Sequence, residues 1–126
     1  MNKAQKVVLG FIIVSVLIIA ILSLIYVTKT KNSGLPTGIV FYYGADCPHC
    51  KVVEAWMITN NISSKLNITQ TEVINNPLKR NEFLSVLNQC KIEPSNAGVP
   101  LLYSDGKCYQ GEVEVIDFIK VKAGVN

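Results

Sequence analysis

The 126-residue sequence has few of the residues that several common functions require. It holds a single histidine, which excludes a metal site built from several histidines. From residue 36 onward, eight lysines and arginines stand against nine aspartates and glutamates, so no basic patch supports nucleic-acid binding. The sequence also lacks internal repeats and low-complexity segments. It therefore predicts one small domain whose chemistry depends on other residue types.

Among its four cysteines, the sequence has one Cys-x-x-Cys motif, at Cys47–Cys50. A zinc ribbon needs a second such motif, and Cys90 and Cys108 are too far apart in the sequence to provide it. A haem-attachment motif needs a histidine after the second cysteine, and Lys51 stands there instead. Both of these cofactor sites are therefore excluded, and we expect no cofactor.

The motif lies between a strand-like segment and a segment with helical spacing. The segment Gly38–Tyr43 is apolar and aromatic, as in a strand buried on both faces. Cys47 then falls at a helix start, where unpaired N–H groups and the positive end of the helix dipole favour a thiolate. Pro48 suits the first helical position, and a protonated His49 would add positive charge beside the sulfur. We therefore predict dithiol–disulfide exchange, with Cys47 as the nucleophile and Cys50 as the resolving thiol.

Two other interpretations of this cysteine pair remain open. The pair could form a permanent disulfide, in which case the domain would only dock a partner. The two sulfurs could instead bind a soft ion such as Cu(I), as in a metallochaperone. Cys-x-x-Cys spacing alone is shared by all three functions, so the rest of the sequence is needed to choose between them.

The order of motifs resembles the thioredoxin superfamily. The strand–CxxC–helix unit is followed about fifty residues later by Gly98–Pro100, which is similar to the cis-proline loop of that fold, and then by the hairpin-like Tyr103–Lys107. Pro48 and His49 between the cysteines resemble the DsbA-type thiol oxidases. The likeness covers residues 36–123. It implies an α/β class domain with the minimal thioredoxin-like (glutaredoxin-like) order β-α-β-α-β-β-α.

In this resemblance, Val99 and Pro100 are the substrate-binding residues. A cis bond before Pro100 would mark a tight functional turn and place the backbone of Val99 opposite the sulfurs, where an extended substrate could pair with it. An ordinary trans proline at a strand start is the alternative.

The sequence departs from both relatives. Asp46 stands where thioredoxin has a tryptophan, and its negative charge opposes a thiolate at Cys47. Aromatic residues around Tyr42 replace the buried acid of the central strand. The chain is also too short for the inserted helical domain of DsbA-type proteins. The redox potential and docking surface of those relatives therefore do not transfer to this chain.

Periodicity, caps and turn signals predict the remaining elements. The expected helices are Cys47–Asn60, Pro77–Cys90 after a cap at Asn76, and Glu112–Lys122, and the further strands are Thr69–Asn75, Val99–Tyr103 and Lys107–Gln110. We expect Val52, Val53, Trp56 and Met57 to form the packed side of the first of these helices.

The second cysteine pair is predicted to be a structural disulfide. Cys90 falls on the buried face of its predicted helix, and Cys108 alternates with Lys107 and Tyr109, so it can point toward that helix. A Cys90–Cys108 bond would close a loop of about 19 residues and stabilise the fold by roughly 3 kcal/mol. A redox pair that relays electrons to Cys47–Cys50 is the alternative.

An apolar run without charge, Val7–Val27, precedes this domain. It can cross a bilayer core of roughly 30 Å as a helix. A signal peptide usually has a shorter apolar core followed by small residues at its cleavage site, and Tyr26–Lys29 do not fit such a site. We therefore predict an uncleaved anchor over residues 1–28 with a transmembrane helix at about 7–27, a linker over 29–37, and a thioredoxin-like domain over 38–126.

The lysines that flank the run do not decide its orientation, because Lys3 and Lys6 precede it and Lys29 and Lys31 follow it. Four cysteines beside a membrane segment indicate an oxidising compartment, so we expect the domain on the extracytoplasmic side of the cell membrane. The expected function is a membrane-anchored thiol–disulfide oxidoreductase that acts on exported or membrane proteins. We favour oxidation, with a membrane redox partner (for example a quinone-linked one) for regeneration, over reduction driven by a membrane electron donor.

Overall fold

A computed structural model describes residues 1–29 and 34–125 of the chain, which form four helices and four strands. The helices are α1 (Lys3–Lys29), α2 (Pro48–Thr59), α3 (Pro77–Gln89) and α4 (Glu112–Ala123); the strands are β1 (Ile39–Tyr43), β2 (Ile68–Glu72), β3 (Leu101–Ser104) and β4 (Lys107–Gln110). Two 3-10 turns cover Ile62–Ser64 and Pro94–Asn96. The chain divides into two units, Met1–Ser33 and Gly34–Asn126. Residues 30–33 of the predicted linker lie outside the described residues.

Helix α1 extends the predicted apolar span at both ends. Its segment Lys3–Ile25 is 23 residues long, is apolar enough to cross a membrane, and has no buried residue. Two serines interrupt the apolar sequence, and each hydroxyl donates to a carbonyl three residues earlier, Ser15 to Ile12 at 2.9 Å and Ser23 to Ala20 at 2.8 Å. Their polar groups are thus paired within the helix, as a hydrocarbon environment requires.

The four strands form one mixed sheet in the order β2-β1-β3-β4. Strand β1 runs parallel to β2 and antiparallel to β3, and β4 is antiparallel to β3. The helix α2 forms the connection between the parallel strands, as such crossovers normally do. The predicted β-α-β-α-β-β-α order is confirmed, and so is the central place of β1.

Alternating side chains of β1 build a core on each face of the sheet. Phe41 packs on the face covered by α2 and α4, and Tyr42 packs on the face covered by α3. Both are fully buried. The other buried residues are Cys50, Val53, Met57, Ile62, Leu102, Val115 and Ile119 on the first face, and Val40, Val73, Phe83, Val86, Leu87, Leu101 and Tyr103 on the second. Burial on two faces accounts for the continuous apolar sequence of β1.

The packed side of α2 is narrower than predicted. Cys50, Val53 and Met57 are buried, at the i, i+3, i+7 spacing of a single helical stripe. Val52 lies next to this stripe and is 47% exposed, so its predicted place in the core is wrong. Trp56 is only half-buried, at the edge of the core.

The second strand ends earlier than the predicted Thr69–Asn75. The carboxylate of Glu72 accepts the backbone N–H groups of Ile74 and Asn75, each at 3.0 Å, and this turn takes the chain out of the sheet. The side chain of Asn76 then caps α3, as predicted from the sequence.

Cys90 and Cys108 form a disulfide between the C-terminal end of α3 and strand β4. Their Cα atoms are 6.0 Å apart, and both residues are half-buried. The two cysteines pack with the core on the α3 face, whereas Cys47 and Cys50 pack with the core on the opposite face. Direct exchange between the two pairs within one molecule would have to cross the sheet, which favours a stabilising role for Cys90–Cys108.

Tyr42 makes a hydrogen bond that the sequence did not predict. Its hydroxyl donates to Oε1 of Glu82 at 3.0 Å, and Oε2 of the same carboxylate pairs with Lys79 at 2.8 Å. Burial chiefly, and the Glu82 carboxylate secondarily, raise the pKa of Tyr42 well above its ordinary value. The phenol is therefore held neutral in the folded state.

Replacing both Cys90 and Cys108 by alanine should lower the free energy of unfolding by about 3 kcal/mol, because the unfolded chain regains the freedom of the closed loop. The two residues are 18 positions apart. Urea unfolding of the full chain in a non-ionic detergent, with Cys47–Cys50 kept oxidised, measures the change. A variant that stays folded but can no longer exchange thiols would contradict the stabilising role and support the relay.

Tyr42→Phe should cost about 1 kcal/mol at pH 7, because Glu82 loses its partly buried donor. The wild type should also lose stability as the pH rises above about 10, where the unfolded phenol ionises and the folded one does not. Urea unfolding at several pH values should show a shallower alkaline decline for Tyr42→Phe than for wild type. Tyr43→Phe serves as the matched control, and equal slopes for wild type and Tyr42→Phe would contradict the assignment.

Candidate active site

A tight turn carries the chain from β1 to the cysteine motif. A Cβ atom on Gly44 would lie 2.6 Å from Cγ1 of Ile74, so the close approach of these segments favours glycine. The carbonyl oxygen of Gly44 accepts the N–H of Cys47 at 3.0 Å. Asp46 is exposed within this turn. The turn thus fixes Cys47 at the carboxyl end of the central strand.

Cys47 is the N-cap residue of α2. Its backbone is extended, with φ −80° and ψ 113°, and its Sγ accepts the N–H of Cys50 at 3.2 Å. Pro48 occupies the first turn, where its missing N–H costs no hydrogen bond. A thiolate formed at Cys47 would receive this N–H and face the positive end of the helix dipole. The predicted position of Cys47 at the helix start therefore matches the structure.

Cys47 and Cys50 form a disulfide with a Cα–Cα distance of 5.3 Å. The two sulfurs differ in access, because Cys50 is fully buried and Cys47 is half-buried. An incoming thiolate can therefore reach Cys47 and not Cys50. This asymmetry is what the predicted roles of nucleophile and resolving thiol require.

The loop before β3 lies opposite the disulfide. The peptide bond between Val99 and Pro100 is cis, as the resemblance implies. The carbonyl oxygen of Val99 lies 3.6 Å from Sγ of Cys47, and the carbonyl of Pro100 accepts the N–H of Gly111 at 2.8 Å. Strand β3 begins only at Leu101, later than predicted, so Val99 is not part of the sheet ladder. The N–H of Val99 donates no hydrogen bond within residues 34–125.

His49 contacts an acid that was not predicted to lie at the site. Its Nδ1 lies 3.0 Å from Oε2 of Glu112, and the two side chains are 74% and 31% exposed. The Glu112 carboxylate offsets the charge of a protonated His49, which weakens the expected support for a thiolate. The one feature of the sequence that could have indicated this contact is the position of Glu112, the first residue of the helix that follows the last strand.

A groove beside the disulfide, which we call the exchange groove, has a volume of about 510 Å³. Its lining residues are His49, Val99, Pro100, Gln110, Gly111, Glu112, Val113 and Glu114. The groove therefore lies between His49 of the cysteine motif, the loop opposite Cys47 and the start of α4.

Within the described part of the chain, no three His, Cys, Asp or Glu side chains cluster as a metal site would require.

Comparison with known proteins supports the fold. No protein-family model and no curated protein sequence matches the chain. Among solved structures, a mutant of a thioredoxin-like protein is similar, with a TM-score of 0.52 and 20% identity over 72% of this chain and 100% of that one. A buckwheat glutaredoxin–glutathione complex (TM-score 0.48, 15% identity, 77% and 79% covered) and oxidised glutaredoxin 2 from Chlamydomonas reinhardtii (0.47, 16%, 79% and 94%) are more distant. The domain has a thioredoxin-like fold.

His49→Gln should make Cys47–Cys50 a weaker oxidant, because it removes a side chain that is positively charged when protonated and leaves the Glu112 carboxylate unpaired. We expect the reduction potential to fall by roughly 20–30 mV, which is up to tenfold in the exchange equilibrium. Equilibration in redox buffers, followed by alkylation and mass spectrometry, measures the shift. Lys51→Gln, an exposed change of the same charge, is the control; equal shifts in both variants would contradict a specific role for His49.

Proposed function

We propose that the chain is a membrane-anchored thiol–disulfide oxidoreductase that acts on cysteines of exported or membrane proteins. One observation carries this proposal: an accessible sulfur at a helix N-cap is bonded to a buried one and lies 3.6 Å from a backbone carbonyl outside the sheet ladder. The helix N-terminus activates Cys47, and the burial of Cys50 directs attack to Cys47. The thioredoxin-like fold with a Cys-x-x-Cys pair supports thiol–disulfide chemistry in general.

Substrate oxidation would proceed in two exchanges. A substrate thiolate attacks Sγ of Cys47, the Cys47–Cys50 bond breaks, and Cys50 leaves as a thiolate. A second substrate thiolate then attacks the substrate sulfur of the mixed disulfide and releases Cys47. The substrate loses two electrons and two protons, and the protein dithiol gains them. Reduction is the same sequence in reverse, with Cys50 resolving the mixed disulfide.

Oxidation is the direction we favour. Pro48 and His49 resemble the DsbA-type oxidases, in which a stabilised reduced form makes the disulfide oxidising. Asp46, directly before Cys47, and Glu112, whose carboxylate contacts His49, oppose this effect because both add negative charge beside the cysteine motif. The potential of this pair should therefore lie below that of a cysteine pair supported by histidine alone. A membrane redox partner, such as a quinone-linked protein, would reoxidise the dithiol.

Helix α1 supports the membrane part of the proposal. Its segment Lys3–Ile25 is long enough and apolar enough to cross a membrane, and none of its residues is buried. An uncleaved helix of this kind would hold the domain at the membrane surface, on the extracytoplasmic side where disulfides persist. Membrane-bound redox partners and newly exported chains would both be within reach there.

Trapping of a mixed disulfide tests this function. Cys50→Ala should accumulate a covalent adduct between Cys47 and a disulfide-bonded substrate, because the Cys47 thiolate opens the substrate disulfide and no Cys50 thiol remains to resolve the mixed disulfide. The adduct should appear on non-reducing gels of the full chain and be assigned to Cys47 by mass spectrometry. Cys47→Ser should abolish it. The proposal fails if Cys50→Ala forms no adduct, or if the adduct lies on Cys90 or Cys108.

A further inference from the structure

The exchange groove has acid on its rim. Glu112 and Glu114 line it, and Asp46 is exposed directly before Cys47. No lysine or arginine is among the lining residues, and His49 is already paired with Glu112. A group entering the groove beside Cys47 therefore meets negative charge.

Both carboxylates keep an oxygen available for a ligand. Oε2 of Glu112 faces His49, and Oε2 of Glu114 accepts the N–H of Gln110 at 3.1 Å. Within residues 34–125 we find no partner for Oε1 of either side chain. Each carboxylate can therefore accept an ammonium or guanidinium donor without losing its present contact.

The floor of the groove suits an extended polypeptide. Val99 and Pro100 are apolar, and Val113 is 69% exposed at the start of α4. The N–H and carbonyl of Val99 lie outside the sheet ladder, so a substrate backbone can pair with them as an added strand. A substrate held in this way places its cysteine at Cys47 and its next side chains near the acidic rim.

We propose that the exchange groove selects polypeptide cysteines with a lysine or arginine beside them in sequence, through Glu112 and Glu114. This inference rests on the proposed function and adds the substrate class. Small anionic thiols such as glutathione, which carries two carboxylates and one ammonium group, are disfavoured at the same rim. The two side chains are specificity-determining residues and do not take part in the bond exchange.

The acids also have a structural role that the experiment must separate. Glu112 and Glu114 lie in the first turn of α4, where carboxylates stabilise the positive helix end, and the N-cap residue Gly111 offers no side chain. A helix-stabilising role changes the unfolding midpoint. It does not change the ratio of rates between peptides that differ only in charge.

The test uses the full oxidised chain in a non-ionic detergent and three dithiol peptides, which carry Lys, Gln or Glu beside the first cysteine. Rapid mixing and acid quench give the second-order rate constant for peptide oxidation and protein reduction. Each constant is divided by that of the same peptide with hydroxyethyl disulfide, a neutral reference that corrects for the reactivity of the peptide thiol. We expect the Lys peptide to exceed the Glu peptide by roughly 3- to 10-fold at low salt, as for one or two exposed ion pairs, and the ratio to approach one in high salt.

Variants assign the preference to the rim. Glu114→Gln alone, and Glu112→Gln with Glu114→Gln, should lower the Lys-to-Glu ratio stepwise, whereas Asp117→Asn, an exposed acid on α4 outside the groove, should leave it unchanged. Equal rates for all three peptides, or a Lys preference that survives both variants, overturn this inference and leave the proposed function standing. If no peptide is oxidised while hydroxyethyl disulfide oxidises all three, the proposed function itself fails.

Discussion

The position of one sulfur atom organises the second unit of the chain. Sγ of Cys47 accepts the N–H of Cys50 in the first turn of α2 and lies 3.6 Å from the carbonyl oxygen of Val99. The first contact requires a tight turn after β1, and the second requires the loop before β3 to bend toward the helix start. Gly44 allows the tight turn, where a Cβ atom would clash with Ile74, and Pro100 follows the cis peptide bond of the bent loop. The exchange chemistry that we propose depends on this contact between the helix start and the loop.

The sheet separates two kinds of disulfide. Cys47–Cys50 lies at the start of a helix with one accessible sulfur, and Cys90–Cys108 joins a helix end to β4 across the other core. The first arrangement exposes the Cys47 sulfur of the disulfide to attack and favours a thiolate there once the pair is reduced. The second closes a loop in a small domain that has limited apolar surface to bury. Charge also differs around the first disulfide, because Asp46 is exposed directly before Cys47 and the Glu112 carboxylate contacts His49.

Local signals were sufficient to predict most of the fold. Nearby residues determine three of these elements: the strand in Gly38–Tyr43, the helix capped by Asn76 and the hairpin at Tyr103–Lys107. The cis bond at Pro100 followed from the resemblance. Contacts between distant residues were not predictable. Glu112 contacts His49, which is 63 residues away in the sequence, and Glu82 contacts Tyr42, which is 40 residues away. Both contacts form only after the helices pack against the sheet. The prediction that Val52 packs in the core was wrong because the spacing of apolar residues indicates an apolar stripe on the helix but does not fix which edge of the stripe faces the sheet.

The most direct test of this account is a redox titration of both cysteine pairs in the full chain. Samples equilibrated in glutathione and then dithiothreitol buffers would be alkylated, and each pair read by mass spectrometry. The account predicts that Cys47–Cys50 is reduced first, at a potential above that of thioredoxin at about −270 mV, while Cys90–Cys108 stays oxidised to below about −300 mV. Reduction of Cys90–Cys108 before Cys47–Cys50, or of both together, would contradict it.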